Sequence, residues 1–173
     1  KNLKSVMLPA NLTKISKEMF KNCENLESIK FEGENLTVIE ESSFENCSKL
    51  KLNKFPSNLL TISDYAFKNC SLLNFVNFPE KVEKIGRSSF EKCSQIFELV
   101  IPLSMKIIDK KAFQNCSELQ KVTNYSSALV IKNKAFNKCV KLKRVYTNNH
   151  DGFSTEAFEN CAVGLDFFKI ENI

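Results

Sequence analysis

Residues 78–93 read Phe-Pro-Glu-Lys-Val-Glu-Lys-Ile-Gly-Arg-Ser-Ser-Phe-Glu-Lys-Cys, and the closing Phe-x-(Asn/Lys)-Cys recurs along the whole chain. It occurs seven times, at steps of 24, 23, 23, 23, 23 and 22 residues. The pairs are Phe20/Cys23, Phe44/Cys47, Phe67/Cys70, Phe90/Cys93, Phe113/Cys116, Phe136/Cys139 and Phe158/Cys161. A fixed period in this range is typical of a solenoid, in which each repeat buries its apolar side only by stacking on its neighbours.

The rest of each repeat has its own apolar spacing. Its first part follows Leu-x2-Ile-x-Phe, which ends in the alternation of a half-buried strand. All four prolines follow this segment directly, and a proline ends a strand because it has no N–H to donate. The later steps from Ile85 to Phe90 and Cys93 approximate a turn of 3₁₀ or α-helix. We therefore predict a strand, a turn and a short helical corner in every repeat.

These residues resemble the BspA-like leucine-rich repeats, whose unit reads approximately Leu-Pro-x2-Leu-x2-Ile-Gly-x2-Ala-Phe-x2-Cys-x2-Leu-x2-Ile. The likeness extends over residues 3–170 and is closest at residues 78–93. It implies an α/β repeat solenoid, a right-handed array of roughly 23-residue units with a parallel sheet on the concave face and short 3₁₀ or helical turns on the other side. It also implies a cell-surface or secreted protein of bacteria or protists that binds extracellular matrix, host cells or neighbouring microbes.

The array is expected to be one leucine-rich-repeat domain over residues 1–173, with about seven repeats and a terminal strand. Because neither end carries a polar cap, we interpret the chain as a fragment of a longer protein. One continuous parallel sheet is predicted from strands at 3–8, 26–31, 50–55, 73–78, 96–101, 119–124, 142–147 and 165–170.

The seven cysteines have three possible interpretations. Each repeat forms one rung of the array. A disulfide between neighbouring rungs would need two converging Cβ atoms, whereas stacked identical side chains point in parallel directions. A metal site would need paired cysteines or nearby histidines, and the chain has a single His. We favour a column of buried free thiols beneath the column of phenylalanines.

The sequence contains no recognisable catalytic constellation. A cysteine nucleophile would need a base, and the only imidazole belongs to His150 in a turn-forming segment. The four glycines are too far apart for a phosphate loop. We therefore predict a chain that is not an enzyme and has no cofactor, metal or small-molecule substrate.

The outward strand positions supply the candidate ligand-binding residues. Side chains alternate along a strand, so the third and fifth places of each Leu-x2-Ile-x-Phe segment should face solvent. In the middle of the array these places, together with one neighbouring position, predict an exposed apolar group of Leu52, Phe75, Phe97 and Val100. Tyr146 occupies a later outward place, and Lys54, Lys121 and Arg144 are expected to form a basic rim that steers a protein partner.

Three functional classes remain open. The first is a cell-surface adhesion or matrix-recognition module that binds a protein through the concave sheet. The second is an intracellular protein-interaction scaffold that uses the same face. The third, an anionic glycan or nucleic-acid binder, is suggested by the net charge of +5 but opposed by the mixing of 25 basic with 20 acidic residues.

Overall fold

A computed structural model of the chain describes residues 2–74 and 76–170. Most rungs of the array contribute a longer strand, a two-residue strand and a segment of tight turns. The strands are β1 (Ser5–Leu8), β2 (Lys14–Ile15), β3 (Ser28–Phe31), β4 (Val38–Ile39), β5 (Thr61–Ile62), β6 (Lys84–Ile85), β7 (Glu98–Ile101), β8 (Ile107–Ile108), β9 (Lys121–Asn124), β10 (Val130–Ile131), β11 (Arg144–Thr147) and β12 (Asp166–Phe168). The pairings between these strands are parallel, which confirms the predicted parallel-strand solenoid.

Among the residues that the structure describes, the longer strands form two sheets rather than the single sheet that the sequence predicted. One sheet pairs β1 with β3, and the other has the order β7-β9-β11-β12. Within the described residues, which exclude Phe75, the predicted strands at 50–55 and 73–78 contribute one bridge each, from Ser28 to Lys51 and from Asn77 to Val100. We call the outward side of β1, β3, β7, β9, β11 and β12 the strand face.

A register shift in the 24-residue rung explains part of this interruption. Leu26 and Leu50 are 24 residues apart and both fully buried, yet Lys51 bridges Ser28, which is only 23 residues earlier. Lys51 therefore takes the outward place, and Leu52 follows at an inward place with only 4% of its surface exposed. The prediction that Leu52 faces solvent is wrong, because a shift of one residue moves a strand side chain to the opposite face.

The two-residue strands form a separate parallel sheet, which the sequence reasoning did not predict and which we call the second sheet to distinguish it from the strand face. Its order is β10-β8-β6-β5-β4-β2. The second residue of each strand is a buried isoleucine, whereas the first residue is exposed or half-buried. This alternation over a single pair of residues is enough to hold a strand against the core.

The predicted helical corner is absent from the described residues, and a ladder of tight turns stands in its place. Backbone N–H groups bond three residues back, as from Cys23 to Phe20 O at 3.0 Å, and others bond the next rung, as from Phe20 to Ser43 O at 2.8 Å. Two residues in most turns, such as Glu18 and Asn22, have φ near +60°. A residue in this left-handed region cannot continue a right-handed helix, so its N–H is directed to the neighbouring rung.

Two columns of side chains run along the array within the core. Neighbouring rings of the phenylalanine column stack with centroids 5.0–5.3 Å apart and interplanar angles of 3–12°. Its members are Phe20, Phe44, Phe67, Phe90, Phe113, Phe136 and Phe158. The cysteine column lies beside it, and all seven of its thiols are free: Cys23, Cys47, Cys70, Cys93, Cys116, Cys139 and Cys161.

The thiols also make a directional contact. From Cys47 onward, each Sγ donates to the carbonyl oxygen of the phenylalanine in the preceding rung, at 3.1–3.3 Å. Burial raises the pKa of Cys47 to about 12 and holds the pKa of Cys70 and Cys93 well above the ordinary thiol value. These side chains therefore combine the volume of a small apolar group with one satisfied donor.

Polar side chains replace proline where the later rungs lack it. In the proline-containing rungs the turn closes by a bond such as that from Leu12 N–H to Pro9 O at 3.1 Å. After β9, Asn124 Oδ1 accepts from Ser126 N–H at 3.0 Å, and after β11 Thr147 Oγ1 accepts from Asn149 N–H at 3.2 Å. A side-chain acceptor of this kind organises a turn without the fixed φ of proline.

Candidate binding surface

The C-terminal half of the strand face presents alternate residues of four paired strands. The register aligns Glu98 with Lys121, Lys121 with Arg144 and Arg144 with Asp166. The second outward row runs Val100, Thr123, Tyr146 and Phe168. Because parallel strands lie roughly 4.8 Å apart, the side chains within each row are near neighbours.

Three aromatic side chains gather at the C-terminal end of this surface. Tyr146 and Phe168 stack with ring centroids 5.2 Å apart, and Tyr125 follows directly after β9. Tyr125 is 47% exposed and Phe168 is 41% exposed. Together with Lys121, these rings line a shallow depression of about 490 Å³. We call Tyr125, Tyr146 and Phe168 the aromatic groove.

A second apolar group lies on and just before β7. Phe97 is 53% exposed and Val100 is 37% exposed, and both line a depression of about 420 Å³. We call Phe97 and Val100 the β7 patch. Strands β9 and β11 connect it to the aromatic groove, so the two apolar groups share one continuous face.

The basic residues predicted for the rim differ in their electrostatic environments. Lys121 Nζ lies 2.7 Å from Glu98 Oε1 and 5.6 Å from the centre of the Tyr146 ring. Lys54 Nζ lies 3.1 Å from Glu34 Oε1. The Ser57 backbone N–H, followed by the Lys54 ammonium, lowers the pKa of Glu34 below its ordinary value. The charges of both lysines are thus partly neutralised by a carboxylate.

Arg144 and its neighbour Lys143 have no such partner. Both side chains are exposed, and among the residues that the structure describes neither forms an ion pair. They lie at the start of β11, the strand that also contains Tyr146, and line a depression together with Phe97 of the β7 patch. A partner can therefore contact these two cations without breaking an existing ion pair.

The structure brings together most, but not all, of the predicted site residues. Phe97, Val100, Tyr146, Lys121 and Arg144 lie on one face. Leu52 is buried in the core, Lys54 belongs to a rung three steps away from Lys121, and Phe75 lies outside the described residues.

Sequence reasoning missed Tyr125 and Phe168. The predicted strand at 165–170 puts Phe168 at an inward place, but the final rung is one residue shorter, so Asp166 rather than Phe167 pairs with Arg144 and Phe168 takes the outward place beside Tyr146. The 22-residue step between Phe136 and Phe158 was the available signal. Tyr125 lies one residue past its strand, and alternation within the strand gave no information about it.

Two kinds of feature are absent from the described residues. Within residues 2–74 and 76–170, no three or more His, Cys, Asp or Glu side chains are grouped so that they could hold a metal ion. The same residues contain no helix with the length and apolar character needed to cross a membrane.

Several solved structures share this architecture. The leucine-rich repeat protein of T. pallidum is 25% identical and superposes with a TM-score of 0.78, over 84% of this chain and 70% of that one. A leucine-rich repeat protein from Bacteroides ovatus is 26% identical with a TM-score of 0.82, over 96% of this chain but only 45% of that one. A leucine-rich cell surface protein from Faecalibacterium prausnitzii, at 15% identity and a TM-score of 0.53 over 98% of this chain and 80% of that one, shows the likeness of fold alone.

Curated protein sequences gave no match. The profile of the BspA type leucine-rich repeat region does match, with six copies that cover residues 1–96 and 39–164. The match extends over most of the chain and confirms the resemblance read from the Phe-x-x-Cys repeat. The chain therefore belongs to the BspA-type leucine-rich repeat family.

Proposed function

We propose that this chain is a non-enzymatic module that recognises a protein on a cell surface or in the extracellular matrix through the C-terminal half of the strand face. Leucine-rich repeat proteins are in general protein-interaction modules without enzymatic activity, and their stacked strands provide an extended binding surface. The observation that carries the proposal is the placement of the β7 patch and the aromatic groove on one continuous sheet.

Exposed apolar side chains at these positions have no role in the core. Phe97, Val100 and Phe168 are each more than a third exposed, whereas an outward strand place with no partner is ordinarily polar. Contiguous apolar surface rimmed by charge is characteristic of interaction sites. Tyrosine, phenylalanine and arginine are also the residue types enriched in protein interfaces, which matches Tyr146, Phe168 and Arg144.

The proposed location is based on the resemblance to the family. The resemblance of the repeat to BspA-like proteins implies secretion or display at the cell surface, with host matrix or cell-surface proteins as partners. The intracellular scaffold would use the same face, and a signal peptide in the complete reading frame would distinguish the two locations.

Binding of the purified chain to intact cells and to immobilised matrix proteins tests this proposal. The variants Phe97→Ser and Phe168→Ser each remove a large apolar contact from the strand face. If these residues are hot spots, each substitution weakens binding by about 2 kcal/mol or more, roughly 30-fold. The thermal midpoint should remain nearly unchanged because neither side chain is buried.

Val140→Ser is the matched control. Val140 is more exposed than Phe97, but it follows Cys139 on the turn side of the array rather than on the strand face. Its substitution should leave binding intact. Normal binding by both phenylalanine variants would place recognition on the turns or on the second sheet, and would refute the proposal.

A further inference from the structure

We infer that the partner presents an extended acidic segment in which two apolar side chains, four residues apart, flank a carboxylate. This inference rests on the proposed function and specifies the chemistry of the partner. It follows from two features of the strand face, namely the distribution of its charges and the distance between its two apolar groups.

Most ion pairs of the array join a lysine to an acidic residue of a neighbouring rung, so charge is largely balanced within the solenoid. Examples are Lys14 with Glu40 at 3.0 Å and Lys141 with Glu118 at 2.7 Å. The same pattern recurs from the first rungs to the last: Lys17–Glu41, Lys21–Glu45, Lys54–Glu34, Lys68–Glu91, Lys106–Glu83, Lys121–Glu98, Lys132–Asp109 and Lys134–Glu159.

The excess positive charge is therefore found at basic residues outside these pairs, and several of them lie on the strand face. Lys143 and Arg144 are exposed beside β9, and Lys169 is exposed beside the aromatic groove. The acidic residues of this half of the face are Glu98, which is already paired with Lys121, and Asp166, which is exposed. Three cations against one uncompensated carboxylate favour an anionic partner.

The distance between the β7 patch and the aromatic groove sets the spacing of the two apolar side chains that the partner would insert. Val100 of the β7 patch and Phe168 of the aromatic groove are three rungs apart in the same outward row. At a rung spacing of roughly 4.8 Å, these positions are separated by roughly 14 Å. In an extended chain, which advances about 3.3 Å per residue, side chains at positions i and i+4 are separated by a similar distance, about 13 Å.

An acidic side chain at position i+2 would point to the same side as the two apolar anchors, because side chains alternate along an extended chain. It would then lie above Thr123 and Tyr146 in the middle of the row, and the free cations nearest to it are Arg144, two residues before Tyr146 on β11, and Lys143 beside Arg144. The geometry thus favours the pattern apolar-x-acidic-x-apolar. A uniformly anionic polymer, such as a sulfated glycan, would leave both apolar depressions unfilled.

Selection from a phage-displayed library of random twelve-residue peptides against the purified chain tests the inference. We expect the selected peptides to share an Asp or Glu with apolar residues two positions before and after it. Synthetic peptides with this pattern should lose about tenfold in affinity for a Lys143→Glu/Arg144→Glu variant, because attraction becomes repulsion at two rim positions. Heparin serves as a parallel anionic probe.

Lys92→Glu/Lys138→Glu is the control, since it makes the same change in net charge on the turn side. This variant should bind the peptides normally. Neutral or basic consensus peptides, equal losses in both double variants, or binding of heparin without any peptide would overturn the inference. Failure to enrich any peptide would also overturn it, while the proposed function would stand if Phe97→Ser still abolished binding to cells or matrix.

Discussion

Replacement of Phe90 by alanine tests whether the phenylalanine column is the main source of stability. The Phe90 ring is fully buried, and it stacks between Phe67 and Phe113 with both centroids at 5.2 Å. Its centroid also lies 5.8 Å from that of Phe78 in an edge contact. Truncation of a buried phenylalanine costs about 3–5 kcal/mol in free energy of unfolding, because apolar burial is lost and a cavity remains.

Phe20→Ala provides an internal comparison at the first rung. The Phe20 ring is also nearly buried, but within the described residues it stacks on Phe44 alone. It therefore makes two fewer aromatic contacts than Phe90. At about 0.5–1.5 kcal/mol for each such contact, its truncation should cost about 1–3 kcal/mol less than that of Phe90.

Urea denaturation followed by far-UV circular dichroism measures both changes. Repeat arrays can unfold segment by segment, so hydrogen exchange in the Phe90 rung should accompany the linear extrapolation. Equal destabilisation by the two variants would show that ring stacking along the column contributes little. A cost below about 1 kcal/mol for Phe90→Ala would show that the site tolerates the missing ring.

Three further predictions address the register, the polar turns and the thiols. Leu52→Ser should destabilise the chain by about 2–5 kcal/mol in chemical denaturation, the usual range for truncation of a buried leucine. Lys51→Ser should change stability by less than about 0.5 kcal/mol, because Lys51 is exposed. The opposite ranking would support the register predicted from the sequence. Asn124→Ala should lower the free energy of unfolding by about 1–3 kcal/mol, because it leaves the Ser126 backbone N–H and carbonyl without their side-chain partner. Denaturation curves measure this change, and an unchanged midpoint would indicate that water replaces the amide. Burial raises the pKa of five interior thiols, to about 12 for Cys47 and likewise upward for Cys70, Cys93, Cys116 and Cys139. The unfolded chain therefore loses these protons first as the pH rises, and the folded state loses stability above the unfolded thiol pKa of about 8.5. The thermal midpoint should therefore fall between pH 8 and about pH 9.5, before the lysines titrate, and a constant midpoint over this range would contradict the buried column.

The sequence alone was sufficient to predict the repeated fold. A recurrence of Phe and Cys at intervals of 22 to 24 residues determines that identical side chains stack in columns, and only parallel rungs produce such stacking. The alternation around Val145 and Tyr146 likewise assigns an inward and an outward side chain correctly, because a strand has a period of two residues. The spacing of apolar residues thus predicted which side chains face the core wherever a rung had the common length of 23 residues.

In rungs of unusual length, the same reasoning predicted the wrong inward and outward side chains. In the rung with one extra residue the backbone pairs Lys51 with Ser28, and Leu52 enters the core. In the rung with one residue fewer, Phe168 rather than Lys169 lies beside Tyr146. The sequence shows that a residue has been added or lost but not where the chain accommodates it, because that position depends on which hydrogen bonds the neighbouring rung offers.

The sequence by itself determined the solenoid, the two core columns and the half of the candidate surface that contains Phe97, Val100 and Tyr146. Only the tertiary structure decided the left-handed turns, the second sheet and the aromatic groove. Residues such as Asn22 take a positive φ because their N–H groups bond the next rung, and Tyr125 and Phe168 join Tyr146 only after the register of two further strands is set. These features depend on contacts between residues more than twenty positions apart, which local propensity and spacing do not encode.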